Sequence, residues 1–217
     1  MLCFMFLYLV WFDILEDAPR SKYYVIHCGL DDRIPMVEAF IIPYMTWFFY
    51  VAYMVCYMYL KDIKEYHNLC TTLVVGMVVF LVISTFFPTI QFLRPDKLSG
   101  GLFSHRIRWL YMRDTSTNIF PSIHCYNSLC VMVSAFKSRA GWARKPWFRI
   151  GATVLSVSII LSTVFIKQHS ALDVLGAIIL FAAVYLLVYR FGIVFISGNR
   201  TPDTAAVLDQ ARTGQAR

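Results

Sequence analysis

Charge is what this chain has least of. Only 15% of its 217 residues are Asp, Glu, Lys or Arg, while 59% are hydrophobic, and a soluble domain of this length could not cover itself with so little polar surface. No cluster of carboxylates is present to hold a divalent ion, so metal chemistry is not expected and no cofactor is called for. No CxxC or other metal-type spacing links the six cysteines at 3, 28, 56, 70, 125 and 130, which read as free, mostly buried thiols. No basic patch gathers the net charge of +7, which is scattered over loops, so a nucleic-acid surface is excluded. The opening apolar run, Leu2 to Phe12, lacks a basic n-region and a small-residue cleavage site, which makes it a poor signal peptide. Internal repeats and low-complexity tracts are absent as well.

What is present is hydrophobicity, with a mean hydropathy of +0.60. The chain reads as an integral membrane protein and an all-α, polytopic helical bundle. A single transmembrane domain is expected over 1–196, followed by a polar, disordered cytoplasmic tail over 197–217. A spanning helix needs roughly 20 mostly apolar residues. Met36 to Leu60, Leu69 to Phe87, Ile119 to Phe136, Trp147 to Ile166 and Val174 to Val194 supply five such runs. Leu2 to Phe12 is a sixth, short or trimmed. Six spans place the cluster Lys137, Arg139, Arg144, Lys145 and Arg149 on one side. The positive-inside rule then puts both termini in the cytoplasm of a cell-membrane protein. The loop from Gln91 to Asn118 and the turn at His169 face outward. Ser104 to Arg113, basic with aromatics, reads as a segment lying at the headgroup level.

Three polar motifs emerge on that outward face. Arg94-Pro95 follows a span that Pro88 has already broken, and taken alone it is an ordinary helix-end anchor. Pro121-Ser122-Ile123-His124 opens the next span, where Pro and Ser suit a helix start whose free N–H groups attract an anion. Lys167-Gln168-His169-Ser170-Ala171-Leu172-Asp173 lies between the last two runs, at a depth where ionisable groups are costly and usually functional. Ser170 and Asp173 fit a capping box. That does not explain His169, which shares a face with Asp173 four residues on if the helix reaches it. A carboxylate there can hold one imidazole nitrogen protonated and leave the other free to attack. Asp31, Asp32 and Arg33 suit turn and cap roles. His27, His67 and His105 have no evident partners. The aromatics of Tyr44 to Tyr59 suit a lipid-facing surface and belt.

On Arg94-Pro95, Pro121-Ser122-x-His124 and Ser162 with His169 and Asp173, the chain resembles the type-2 phosphatidic acid phosphatase superfamily over roughly residues 85 to 180. That family has a Lys with Arg-Pro seven residues on, then Pro-Ser-Gly-His, then Ser-Arg followed by a His and an Asp. Here Phe87 stands at the first Lys, Ile123 at the Gly and Thr163 at the Arg. Lys167, one turn from Thr163, is positioned to return the missing charge. The Lys-Gln-His-x-x-x-Asp form is similar to the branch that contains inositol phosphorylceramide and sphingomyelin synthases.

The resemblance implies a metal-independent phosphatase acting on phosphate monoester or pyrophosphate lipids such as a phospholipid or a prenyl phosphate. His169 is the nucleophile that becomes phosphohistidine, Asp173 orients it, and His124 is the acid and base. Arg94, Lys167, Ser122 and Ser162 hold the phosphoryl oxygens. Two other readings stand beside it. One is a phosphotransferase that moves a phosphorylated headgroup between lipids, and the other is a non-enzymatic transporter or structural protein on the same fold.

Overall fold

The computed structural model describes residues 2–194 other than 19 and 21; the expected disordered tail, 197–217, lies outside the described residues. Seven α-helices follow one another: α1 (Leu2–Asp17), α2 (Ile41–Lys61), α3 (Ile63–Phe86), α4 (Leu102–Arg113), α5 (Ile123–Lys137), α6 (Pro146–Phe165) and α7 (Ala171–Tyr185). A π-helical turn, Leu186–Arg190, prolongs α7. The only paired strands among the described residues are two-residue pieces, β1 (Tyr24–Val25) and β2 (Thr89–Ile90), which run parallel. The chain is all-α.

Four stretches are long and apolar enough to cross a bilayer: Glu38–Lys61, Ile63–Phe86, Pro146–Phe165 and Ala171–Arg190. Helix α5 has 15 residues and α1 has 16. At 1.5 Å per residue they reach about 22 and 24 Å, short of a hydrocarbon core of roughly 30 Å. The expected set of six thus resolves into four full-length helices and two shorter ones. Helix α3 begins six residues before the run read from hydropathy, because Asp62 caps it by accepting from the Glu65 N–H at 3.1 Å. Helix α1 continues past Phe12, since Leu15 enters the core beside Phe80 and Leu81. All six cysteines are free, and Cys70, Cys125 and Cys130 are buried.

Helix α5 is the hub, touching α2, α3, α6 and α7. Gly76 of α3 lets it come close, because a Cβ there would lie 2.0 Å from the Tyr126 ring. Tyr126 then donates from its hydroxyl to the Thr72 carbonyl at 2.7 Å. Polar groups inside such a bundle can tie its helices together by hydrogen bonds. Tyr50 on α2 meets Ser156 on α6 at 3.0 Å, and Ser156 donates to the Ser128 carbonyl on α5.

The starts of α2, α5 and α7 and the ends of α1, α3 and α6 share one end of the bundle, where the loops are stitched together. Ile90 bridges to Thr117, and Thr89 Oγ1 accepts from the Ile119 and Phe120 N–H groups. Glu16, at the end of α1, accepts from Asn118 Nδ2 at 2.6 Å. Helix α4 packs at this end, with Tyr111 donating to the Ile166 carbonyl at 2.6 Å.

Candidate active site

Helix α6 closes in a Schellman turn: the Gln168 N–H returns to the Thr163 carbonyl and the Lys167 N–H to that of Val164. Lys167 occupies the left-handed position, with φ at 55°, where glycine is usual. Its side chain offsets that conformational cost, since Nζ donates to the carbonyls of Asp31 at 2.8 Å and Ile34 at 2.6 Å. The turn reverses the chain and delivers His169 just ahead of α7.

Ser170 caps α7 with a full capping box, and the Asp173 carboxylate accepts from the Ser170 N–H at 2.8 Å. The cap and the imidazole partner are the same group: His169 Nδ1 lies 3.4 Å from the same Asp173 oxygen. Helix α7 starts at Ala171, so His169 precedes the cap and folds back to make the contact. At 3.4 Å the pair is longer than an ordinary hydrogen bond. Asp173 is fully buried and its other oxygen, Oδ1, has no hydrogen-bond partner among the described residues.

His124 arrives on α5. Ser122 is the N-cap and accepts from the Cys125 N–H. Its own N–H donates to the Asp173 carbonyl at 3.1 Å, which couples the starts of α5 and α7. Gly176 leaves room for the Phe120 ring just before that start, where a Cβ would sit 2.5 Å from it. The His124 and His169 ring centroids are 5.7 Å apart. Tyr44 and Trp47, one turn apart on α2, pack on His124 with centroids 4.5 and 4.3 Å away.

Arg94 joins the same end through Gln168. Its NH2 donates to the Gln168 Oε1 at 2.7 Å and to the carbonyls of Asp114 and Thr115, and its NH1 donates to that of Tyr111. The guanidinium also stacks on the Tyr111 ring, 4.4 Å from its centroid. Burial lowers the Arg94 pKa, opposed by the nearby Asp114 carboxylate. Burial likewise pushes the Tyr111 hydroxyl up to about 12, so it remains a neutral donor.

His124, His169, Asp173 and the Ser122 cap therefore come together, with Arg94 one residue removed. Lys167 turns two of its three donors toward the 31–34 loop, and Ser162 donates to the Ile159 carbonyl of its own helix at 2.6 Å while fully buried. Two neighbouring imidazoles, one beside a carboxylate, are the group types that nucleophilic attack and proton transfer require.

Sequence reasoning missed three contributors. Tyr44 and Trp47 read as belt aromatics, yet Tyr44 is buried and donates to Asp114 at 2.9 Å. Their spacing of three on one helix was the available signal. Asp31 reads as a turn residue, yet its carboxylate reaches Ser170, 139 residues away; no local pattern carries that. Comparisons with protein-family models, with curated proteins and with solved structures each returned no match for this chain.

Proposed function

We propose that the protein is a membrane enzyme that dephosphorylates lipid phosphate esters through a phosphohistidine at His169, as in the type-2 phosphatidic acid phosphatases. One observation carries the reading: the two imidazoles stand 5.7 Å apart at one end of an apolar bundle, with Asp173 against only one of them. A ring held at Nδ1 by a carboxylate has Nε2 free to attack phosphorus. The P–O bond to the lipid breaks as the N–P bond forms, and His124 protonates the departing oxygen. His124 then takes a proton from water, which displaces phosphate from His169. The Ile123 and His124 N–H groups at the start of α5 have no acceptor among the described residues and suit an anionic oxygen. Alternation of helix direction puts the start of α1 and the end of α7 on one side, and the cluster Lys137, Arg139, Arg144, Lys145 and Arg149 on that side favours it as the cytoplasmic one, with the site facing away.

A second reading is transfer of a phosphorylated headgroup to a lipid alcohol. It is favoured by the aromatic flank of His124, which limits water, and by the engagement of Arg94 and Lys167 with carbonyls. That engagement suits a singly charged phosphodiester better than a doubly charged monoester. Purified protein in nanodiscs, given lipids labelled with ³²P and quenched, should carry label on His169. Release of inorganic phosphate marks hydrolysis, whereas exchange between lipids without release marks transfer. Absence of both label and turnover across monoester, pyrophosphate and diester lipids would return the non-enzymatic reading.

A further inference from the structure

The loop between β1 and α2 contributes a buried carboxylate that the reaction scheme above does not use. Asp31 is 2% exposed, although it sits in a loop. Its Oδ2 accepts from Ser170 Oγ at 2.6 Å and from the Cys28 N–H at 2.8 Å, and its Oδ1 accepts from the Ala171 N–H at 2.8 Å. Its carbonyl receives the Lys167 ammonium. Both residues that flank the Gln168-His169 pair are thus fastened to the same distant residue.

We infer that Asp31 is a positioning residue of the active site, which acts through Ser170 to hold His169 and Asp173 in register. Ser170 stands between two carboxylates. It gives its hydroxyl proton to Asp31 and its backbone N–H to Asp173, while its hydroxyl oxygen accepts from the Leu172 N–H at 3.1 Å. Asp31 therefore fixes the Ser170 hydroxyl, the hydroxyl fixes the first turn of α7, and that turn sets where the Asp173 carboxylate meets the His169 ring. The capping box alone leaves the Ser170 proton without a destination. Asp31 supplies one from an element that is not part of α7, so the turn is held from outside as well as from within. Small displacements matter at such a site, since misplacing a nucleophile by about 1 Å can cost about 100-fold in rate.

The inference rests on the phosphohistidine reading, and its test separates the two. Wild type, Asp31→Asn, Ser170→Ala and the double variant are purified in nanodiscs. Rates of His169 labelling and of turnover are measured per folded molecule, quantified by size exclusion. Asp31→Asn should lower kcat by about 10- to 100-fold with KM within about twofold. Ser170→Ala should reproduce that loss, and the double variant should be no worse than either single one. If Asp31→Asn does not fold, Ser170→Ala carries the test alone: a wild-type kcat there overturns the inference. Additive losses, or a change confined to KM, overturn it too. Absent labelling of wild type is the separate failure of the phosphohistidine reading; labelled wild type with unchanged variant rates sinks Asp31 alone.

Discussion

Two helix starts meet at the candidate site, and they are finished in opposite ways. At α7 every early N–H has an acceptor: Ser170 donates to Asp173, Ala171 to Asp31, Leu172 to the Ser170 hydroxyl and Asp173 to the Ser170 carbonyl. At α5 only part of the first turn is closed, and Ile123 and His124 keep N–H groups without an acceptor among the described residues. A helix start saturated by the protein's own carboxylates repels a further anion, whereas an open one attracts it. Under the proposed function the comparison divides the labour: the α7 start would aim the nucleophile, and the α5 start would receive the phosphoryl oxygens beside the proton-transferring imidazole.

The most damaging way to break this division is to remove the nucleophile. His169→Ala should lower turnover by about 10⁴-fold or more and abolish the labelled adduct. His124→Ala should also stop turnover but still permit slow labelling with a substrate whose leaving group needs no proton. Equal adduct formation in both variants would erase the distinction between the two starts. Asp173→Asn should lower kcat by about 10²- to 10⁴-fold, because the amide can hold the wrong imidazole tautomer. Asp173 also caps α7, so the same change should lower the unfolding temperature. Ser170→Ala, which removes the cap hydroxyl but leaves the Asp173 carboxylate in place, should also lower that temperature, with the smaller kinetic loss of about 10- to 100-fold given above.

Arg94 tests the joint between the starts. Its guanidinium serves three carbonyls and Gln168 in a planar fork that an ammonium cannot copy. Arg94→Lys should lower kcat/KM by about tenfold, read with a lipid phosphate at subsaturating concentration. Lys167→Met sharpens the comparison from the other side. If the ammonium serves to fasten the 31–34 loop, stability falls by about 1–3 kcal/mol and KM stays within about twofold. A rise in KM of about tenfold or more would give Lys167 the phosphoryl-binding part that its spacing suggests.

Much of this was legible without coordinates. The apolar runs gave the helices because burial in lipid selects for uninterrupted hydrophobicity, and the Ser170–Asp173 spacing gave the cap. Hydropathy could not see the first two turns of α3, whose Lys64, Glu65, His67 and Asn68 are polar. The spacing of His169 and Asp173 suits a helical i,i+4 contact only if the helix reaches His169. The structure makes it instead by a fold-back ahead of the helix, through a Schellman turn that a lysine in place of glycine concealed. The meeting of His124 with His169 was inferred only from both motifs emerging on one side. Asp31 and Tyr44 were invisible as site residues because their partners, Ser170 and His124, lie far along the chain.

The smallest expected effect concerns pH, and it separates the two carboxylates at the α7 start. Burial works to raise the Asp31 pKa, but the hydrogen bonds from Ala171, Ser170 and Cys28 outweigh it and hold the group below the ordinary aspartate range. A carboxyl depressed in the folded state stabilises the fold fully above its unfolded pKa, and that contribution is lost as pH falls through the folded value. The stability difference between wild type and Asp31→Asn should therefore be constant across neutral pH and shrink only below the ordinary aspartate range. Thermal unfolding in detergent, followed from neutral to acid pH for both proteins, measures it. A difference that already collapses between pH 5 and 7 would mean that Asp31 is not held as a carboxylate by the α7 start, and the contrast between a saturated and an open helix end would lose its outer half.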